Sequence, residues 1–440
     1  MITRAIYKEL QEWKNEKNRK PLLIRGARQV GKSYIVEVFG NSEFSNLIVL
    51  NFERNPEYKD IFSSLDPIDI IERIGLFTGK KITKGKTLIF FDEIQECTQA
   101  IISLRYFYEE MPNLHIIGAG SLLEFAIKDD GFKMPVGRIQ YLYMYPLSFS
   151  EFVYAFGEDT LQKYILKYEN LSLIQDGLHK KLIELVRKYF VIGGMPAVVN
   201  EYINSRDIYK CQKIQRSIID TYTDDFSKYS GHSKVQYIKK VFYASAAMVG
   251  QKFVYAKVDK HIKSRELKES LELLETAGIV TRIKRTSGSG LPLEANVKSN
   301  FFKILFLDIG LLHNISGIQG ESIVADDIAT IFNGAVAEQF TGQEILVSQN
   351  NYKKPSLYYW AREAKNSNAE LDYLIEFHGK IIPLEVKAGI SGRLKSMTMF
   401  MEKYNSKIGL KVSQAPYSVK NNITSLPFYG IGAYYKNKPQ

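Results

Sequence analysis

Two rhythms of apolar and polar positions run along this 440-residue chain. Over roughly the first 150 residues, short apolar runs alternate with stretches of helical period, which predicts an α/β layer fold. Residues 21–25, 46–52 and 87–91 read as strands, and a fourth begins at His115. A helix is expected over 32–39, stopped by Gly40-Asn41. From 151 to 229 the period is helical, interrupted at Gly193-Gly194-Met195-Pro196. Ser264 is placed to cap a helix with Leu267, Leu271 and Leu274 on one face and Gly278 closing it. A strand over 279–284, a Gly/Ser loop over 287–290 and a return strand over 302–307 complete a winged-helix order. A last segment, starting near Gln319, holds a helix over 335–346 and a strand over 358–362. It then forms a hairpin of 370–377 and 380–388 about His378-Gly379.

Composition narrows the classes. A hydrophobic share of 45% with 24% charged residues is that of an ordinary folded protein. No apolar run is long enough to cross a bilayer, so no membrane partner is expected. The first twenty or so residues are amphipathic and carry acids, unlike a secretory signal. Two cysteines and six scattered histidines offer neither a disulfide framework nor a zinc spacing, and a reducing cytoplasmic compartment is expected. Residues 234–300 carry 13 Lys and Arg against 6 Asp and Glu, most of the chain's net charge of +11. That segment is either a DNA-facing surface or a solvated basic face. Its helix also carries Glu266, Glu269, Glu272 and Glu275, so Arg282, Lys284 and Arg285 of the wing are the expected contacts to phosphate.

Gly26-Ala27-Arg28-Gln29-Val30-Gly31-Lys32-Ser33 has the spacing G-x-x-x-x-G-K-S between an expected buried strand and a helix. Such glycines let backbone N–H groups curl around the β- and γ-phosphates of ATP, and the helix N-terminus adds its dipole. Lys32 is expected to reach the phosphate oxygens and Ser33 to ligate Mg2+. Leu88-Ile89-Phe90-Phe91-Asp92-Glu93 supplies a buried strand ending in two acids. Asp92 is expected to hold Mg2+, directly or through water, and Glu93 to orient and deprotonate the attacking water. Ser121 either senses the γ-phosphate or caps a helix over 122–127. Arg138, in Val136-Gly137-Arg138, either neutralises transition-state charge, in its own or a neighbouring subunit, or is a surface arginine.

Together with Phe91-Asp92-Glu93-Ile94-Gln95 and the stretch from Gly137-Arg138 through Pro146-Leu147-Ser148-Phe149-Ser150-Glu151-Phe152, the phosphate loop resembles the AAA-type prokaryotic ATPases that carry a C-terminal DUF4143 domain. The resemblance covers nearly the whole chain. Gly193-Gly194-Met195-Pro196 is similar to the glycine-proline signature of STAND-class signalling ATPases, which implies that Pro196 lies near the adenine. Family members often show Thr-Gly-Ser-Ser after the fourth strand, where this chain has Gly118-Ala119-Gly120-Ser121. That departure touches the sensor and leaves the phosphate loop intact.

Near the C-terminus, Glu385 and Lys387 share one face of their strand, while Leu384 and Val386 point to the core. With Asp372 on the paired strand this is the D…E-x-K arrangement of restriction-endonuclease-like nucleases. The carboxylates would hold one or two Mg2+ and Lys387 would stabilise charge at the attacked phosphate. Glu338 matches the additional helical acid of that fold. The alternative is a degenerate domain with Glu385 and Lys387 paired at a sheet edge.

The expected fold class is therefore α/β in four parts. An AAA-type P-loop core occupies 1–152, a helical lid 153–233, a winged-helix domain 234–317 and a restriction-endonuclease-like DUF4143-type domain 318–440. The expected function is Mg2+-dependent ATP binding and hydrolysis coupled to a DNA-directed, nuclease-like C-terminal domain. The alternative is an ATP-dependent switch or scaffold with a silent C-terminal domain, binding DNA or a protein, a second copy of the chain included.

Overall fold

The computed structural model describes residues 4–127, 137–229, 234–317, 334–362, 369–389 and 392–436. Val136, Gln319 and the expected boundary after residue 317 lie outside or at the limit of these residues. Contacts divide the chain into a smaller unit, Thr3–Tyr145 with Asn350–Lys354, and a larger one, Pro146–Gln349 with Pro355–Gln440. The division falls earlier than 152/153 because residues 147–149 bond within the larger unit. The Leu147 N–H donates to Gly194 O at 2.7 Å and the Phe149 N–H to Glu344 Oε1 at 2.8 Å.

The smaller unit is built on a sheet of β1 (Leu22–Arg25), β2 (Asn46–Asn51), β3 (Thr87–Asp92), β4 (His115–Ala119) and β5 (Gln140–Tyr143). Its order is β2-β3-β4-β1-β5, and every neighbouring pair is parallel. β3 and β4 are buried along their whole lengths, as continuous apolar runs in a helix-covered parallel sheet should be. The chain leaves β1 toward β2 at one edge and leaves β4 toward β5 at the other. The carboxyl ends of β1 and β4 thus flank a point where the connections diverge, the usual place for a ligand crevice. The helix after β1 runs Lys32–Glu43, past the expected stop at Gly40. A Cβ on Gly40 would lie 2.7 Å from Leu47 Cδ1, so this glycine permits close packing on β2 and ends nothing.

In the larger unit, helices Asp176–Ile192, Pro196–Ser205, Ile208–Tyr229, Val235–Ala247 and Ser264–Thr276 precede a second sheet. Leu267, Leu271 and Leu274 are fully buried, as their spacing predicts, but Ser264 is the first helical residue and caps nothing. The sheet comprises β6 (Val280–Thr286), β7 (Val297–Phe306), β8 (Leu357–Ala361), β9 (Glu370–Phe377), β10 (Lys380–Val386), β11 (Gly409–Ser413), β12 (Ser418–Lys420) and β13 (Ile423–Pro427). Its order is β12-β13-β11-β10-β9-β8-β6-β7. β6 pairs in parallel with β8, so the hairpin expected as a free wing is the edge of the same sheet that carries β9 and β10.

This placement changes the reading of the basic segment. The Arg285 guanidinium donates to Ala361 O on β8 at 3.0 Å. Lys284 pairs with Glu294 at 2.6 Å and Arg282 with Glu275 at 3.4 Å. Lys234 and Lys240 meet Glu269 and Asp259 at 2.8 and 2.6 Å. The local positive excess is thus interleaved with acids of the same segment rather than spread as an unbroken basic face.

Candidate functional site

β1 ends in a turn that only glycine can make. Gly26 has φ +152°, and a Cβ there would fall 2.2 Å from Met144 O. Gln29 and Gly31 are left-handed at φ 64° and 96°, which curls the loop back before the Lys32–Glu43 helix starts. No side chain caps that helix. Lys32 is buried, and its ammonium donates to the loop carbonyls of Gly26 (2.9 Å) and Ala27 (2.8 Å). Burial lowers its pKa to about 8, against the opposing pull of Glu93 and Asp92.

Sheet register carries the acids to this loop. Ile24 stands beside Ala119, Ala119 beside Asp92, and Asp92 beside Asn51. One Asp92 oxygen accepts from the Ser33 hydroxyl at 2.7 Å and the other from the Asn51 amide at 2.8 Å. Burial raises the Asp92 pKa, and these two donors oppose the shift. Glu93 is left-handed at φ 47°, and its Oε2 accepts from the Gln95 amide (2.7 Å), the Ser121 N–H (3.0 Å) and the Ser121 hydroxyl (3.1 Å). A Cβ on Gly120 would stand 1.9 Å from Gln95 Oε1, so glycine makes room for that amide.

The structure thus forms two hydrogen-bonded sets on adjacent residues, Ser33 with Asp92 and Ser121 with Glu93, with Lys32 alongside. Arg138 is instead half-exposed and paired with Glu109 at 2.8 Å. Asn51 escaped sequence reasoning, because an amide at a strand end forms no motif, and Gln95 stands in the stretch Phe91-Asp92-Glu93-Ile94-Gln95 with no role read from it. Arg25 also escaped it. Its guanidinium pairs with Glu124 and lies over the rings of Tyr141 and Tyr143 at 4.8 and 5.2 Å. For Mg2+ the residues fit: a hydroxyl and a carboxylate adjoin, and the carboxylate's partners are neutral donors that orient it without cancelling its charge.

Pro196 belongs to the larger unit, where it opens the Pro196–Ser205 helix. Before it, Gly193 is left-handed at φ 74°, and the Gly194 N–H donates to Asp308 Oδ2 at 2.6 Å. Asp308 also accepts from the N–H groups of Gly310 (2.9 Å) and Leu311 (3.1 Å). The glycine pair is therefore clamped by a buried carboxylate that no motif announced.

The second carboxylate centre lies on β9, β10 and the Gly334–Ser348 helix. Glu385 and Lys387 do share a face, and they pair with each other at 2.6 Å. The second Glu385 oxygen is buried without a partner. Asp372 Oδ2 accepts the Val386 N–H at 2.7 Å. Its other oxygen and Glu338 turn toward a residue the sequence reading left out. Lys303, on β7, lies 3.2 Å from Glu338, 3.7 Å from Asp372 and 2.7 Å from Glu370. Burial, together with Asp372, pushes the Glu338 carboxyl up. The carboxylates hold the Lys303 ammonium charged despite its burial. Among the described residues no group of three or more acidic, histidine or cysteine side chains is arranged so that it could hold a metal ion. Each member of the expected metal set of Glu338, Asp372 and Glu385 faces an ammonium, at 3.2, 3.7 and 2.6 Å respectively.

A G-x-x-x-x-G-K-S loop between strand and helix, set in a parallel sheet beside an acid-tipped strand, defines a P-loop nucleotide-binding domain. Consistent with that class, residues 18–153 match the family described as an AAA domain. Residues 183–322 match a domain of unknown function, DUF8612, and residues 333–430 match another, DUF4143. No curated protein matches the chain. Among solved structures, the Walker-type ATPase of Pyrococcus abyssi is 16% identical at a TM-score of 0.46, covering 72% of this chain and 96% of that one. The Aeropyrum pernix ORC1 protein in complex with DNA is 10% identical at 0.30, covering 73% and 94%. The Thermotoga maritima RuvB Holliday junction branch migration motor is 13% identical at 0.29, covering 64% and 90%. Among the described residues no helix is long and apolar enough to cross a membrane.

Proposed function

We propose that this chain is a Mg2+-dependent ATPase. The observation that carries the reading is the bonded pair of Ser33 and Asp92 at the foot of the phosphate loop, with Glu93 at the next position. On ATP binding, Lys32 exchanges the carbonyls of Gly26 and Ala27 for β- and γ-phosphate oxygens, and the loop N–H groups close around the phosphates. Ser33 and Asp92 would hold Mg2+, which would supply positive charge to the phosphate oxygens. Glu93 takes a proton from the attacking water, and Ser121, already bonded to Glu93, reports the γ-phosphate to it. Arg138 would have to leave Glu109 to serve at this site.

The test is phosphate release by the full chain with Mg2+ and ATP. Lys32→Ala is expected to cut kcat by roughly 10²–10³-fold, the usual effect of removing one charge-stabilising donor. Release as fast as wild type would end the assignment.

For the larger unit, the alternative reading is favoured over a nuclease. We take it as the output of an ATP-dependent switch or scaffold that engages DNA or a protein. What supports this is that every carboxylate of the nuclease-like set already faces an ammonium.

A further inference from the structure

Lys303 is the one residue of the second carboxylate centre contributed by the β6–β7 hairpin. Its Cα partner across that hairpin is Ile283, and on its other side it makes a lone bridge to Lys252. The side chain is 1% exposed, yet it ends among three carboxylates. Burying a lone ammonium costs several kcal/mol unless acids surround it, and here they do. Glu338 comes from the Gly334–Ser348 helix, while Glu370 and Asp372 come from one face of β9. The ring of Tyr359 lies 5.4 Å away on a further side. The cluster is thus assembled from a helix and three strands around a nitrogen atom.

The distances suit nitrogen. Contacts of 2.7 and 3.2 Å are ordinary N–H donor distances to carboxylate oxygens. A divalent ion bound to the same oxygens would sit within a few ångströms of the ammonium. Two cations at that separation repel strongly where water is scarce. Charge points the same way. Lys252 adds a second ammonium 3.6 Å from Glu370, and Lys387 holds Glu385 at 2.6 Å. Three ammoniums of the chain thus face these four acids.

We propose that Lys303 stands in the place of a divalent cation, so that the C-terminal carboxylate centre is neutralised from within the chain and binds no catalytic metal. This rests on the reading of the larger unit as a non-nucleolytic output, and it assigns the residue responsible. It also gives a physical reason for the sheet order. The β6–β7 edge is tied to β9 and the Gly334–Ser348 helix by one buried ion cluster, so the two halves expected to be separate domains share a polar core.

The experiment is a Mn2+ titration of the nucleotide-free full chain, followed by electron paramagnetic resonance and by melting temperature. Wild type should show no Mn2+ site that Asp372→Asn removes, and no rise in Tm with Mn2+ beyond that of Asp372→Asn. Lys303→Met keeps the stem and deletes the charge. It should gain one Asp372-dependent Mn2+, bound at least tenfold more tightly than anything wild type holds there, and should gain Tm on adding Mn2+. One Mn2+ bound by wild type and lost in Asp372→Asn overturns the proposal, as does a folded Lys303→Met that binds none. Should Lys303→Met not fold, Lys303→Met with Glu370→Gln carries the same readout with one uncompensated acid fewer. None of these outcomes depends on ATP, so they stand apart from the Lys32→Ala test.

Discussion

Each of the two units sets lysine among carboxylates, and the two centres differ in what holds the acids. At the phosphate loop, Asp92 is held by a hydroxyl and an amide, and Glu93 by an amide, a backbone N–H and a hydroxyl. Lys32 gives its protons to backbone carbonyls and to neither acid. In the larger unit, Glu338, Glu370 and Asp372 converge on Lys303, and Glu385 on Lys387. Neutral donors fix the direction of a carboxylate and leave its charge for an arriving cation, whereas an ammonium consumes that charge. Acid count and spacing alone cannot tell a prepared cation site from a closed one. The partners of the acids can.

Carboxylate-to-amide exchange should separate the centres most sharply. Glu93→Gln is expected to lower kcat for phosphate release by about 10²–10⁴-fold, the range for a general base, with Mg-ATP affinity retained in a binding titration. Glu385→Gln should leave phosphate release unchanged and instead cost about 2 kcal/mol of stability in urea, because Lys387 loses a charged partner. Loss of ATPase activity in the second variant would show that the two centres are not independent. A smaller effect is expected from the neutral donors. Asn51→Ala strips one donor from Asp92 and should raise the Mg2+ concentration needed for half-maximal phosphate release by about 10–100-fold, as loss of such orienting partners commonly does. An unaltered Mg2+ requirement would mean that Asn51 supports the strand end and not the ion.

How much of this was legible beforehand follows from the range of each interaction. The phosphate loop, the β3 acids and the β9–β10 hairpin are local patterns, and all three are present at or within a residue or two of the expected positions. Gly40 looks in sequence like a helix stop, because a glycine that admits a neighbouring strand and one that ends a helix read alike. The hairpin of β6 and β7 was legible as a hairpin, but its parallel pairing to β8 joins residues about 75 apart, which no periodicity records. Lys303 follows from that pairing. Within its own strand, Val297–Phe306, it is one of two lysines, with Lys298, and nothing local marks it as the centre of a cluster. Asp308 was invisible for the same reason, since its partners at Gly194 and Gln343 come from distant segments.

The two lysines also move in opposite directions with respect to protons, and that gives the finest test. Burial with only carbonyl partners brings the Lys32 pKa down to about 8, while the acids around Lys303 keep its ammonium charged well above the ordinary lysine range. ATP needs Lys32 protonated, and the triphosphate itself favours that form once bound. Below pH 8 the free protein already carries the proton. Above it, binding must take one up, so affinity falls as pH rises. With a free-protein value of about 8, Mg-ATP should bind about fourfold more weakly at pH 8.5 than at pH 7, with a limiting slope of about tenfold per pH unit. Calorimetry in buffers of different ionisation heat reads the proton uptake directly. Lys303 should contribute nothing over the same interval, so stability measured without nucleotide should show no loss assignable to the second centre between pH 7 and 8.5. A flat ATP affinity across that range would mean that the acids at the tip of β3 hold the Lys32 charge after all, and the contrast between the two lysines would then vanish.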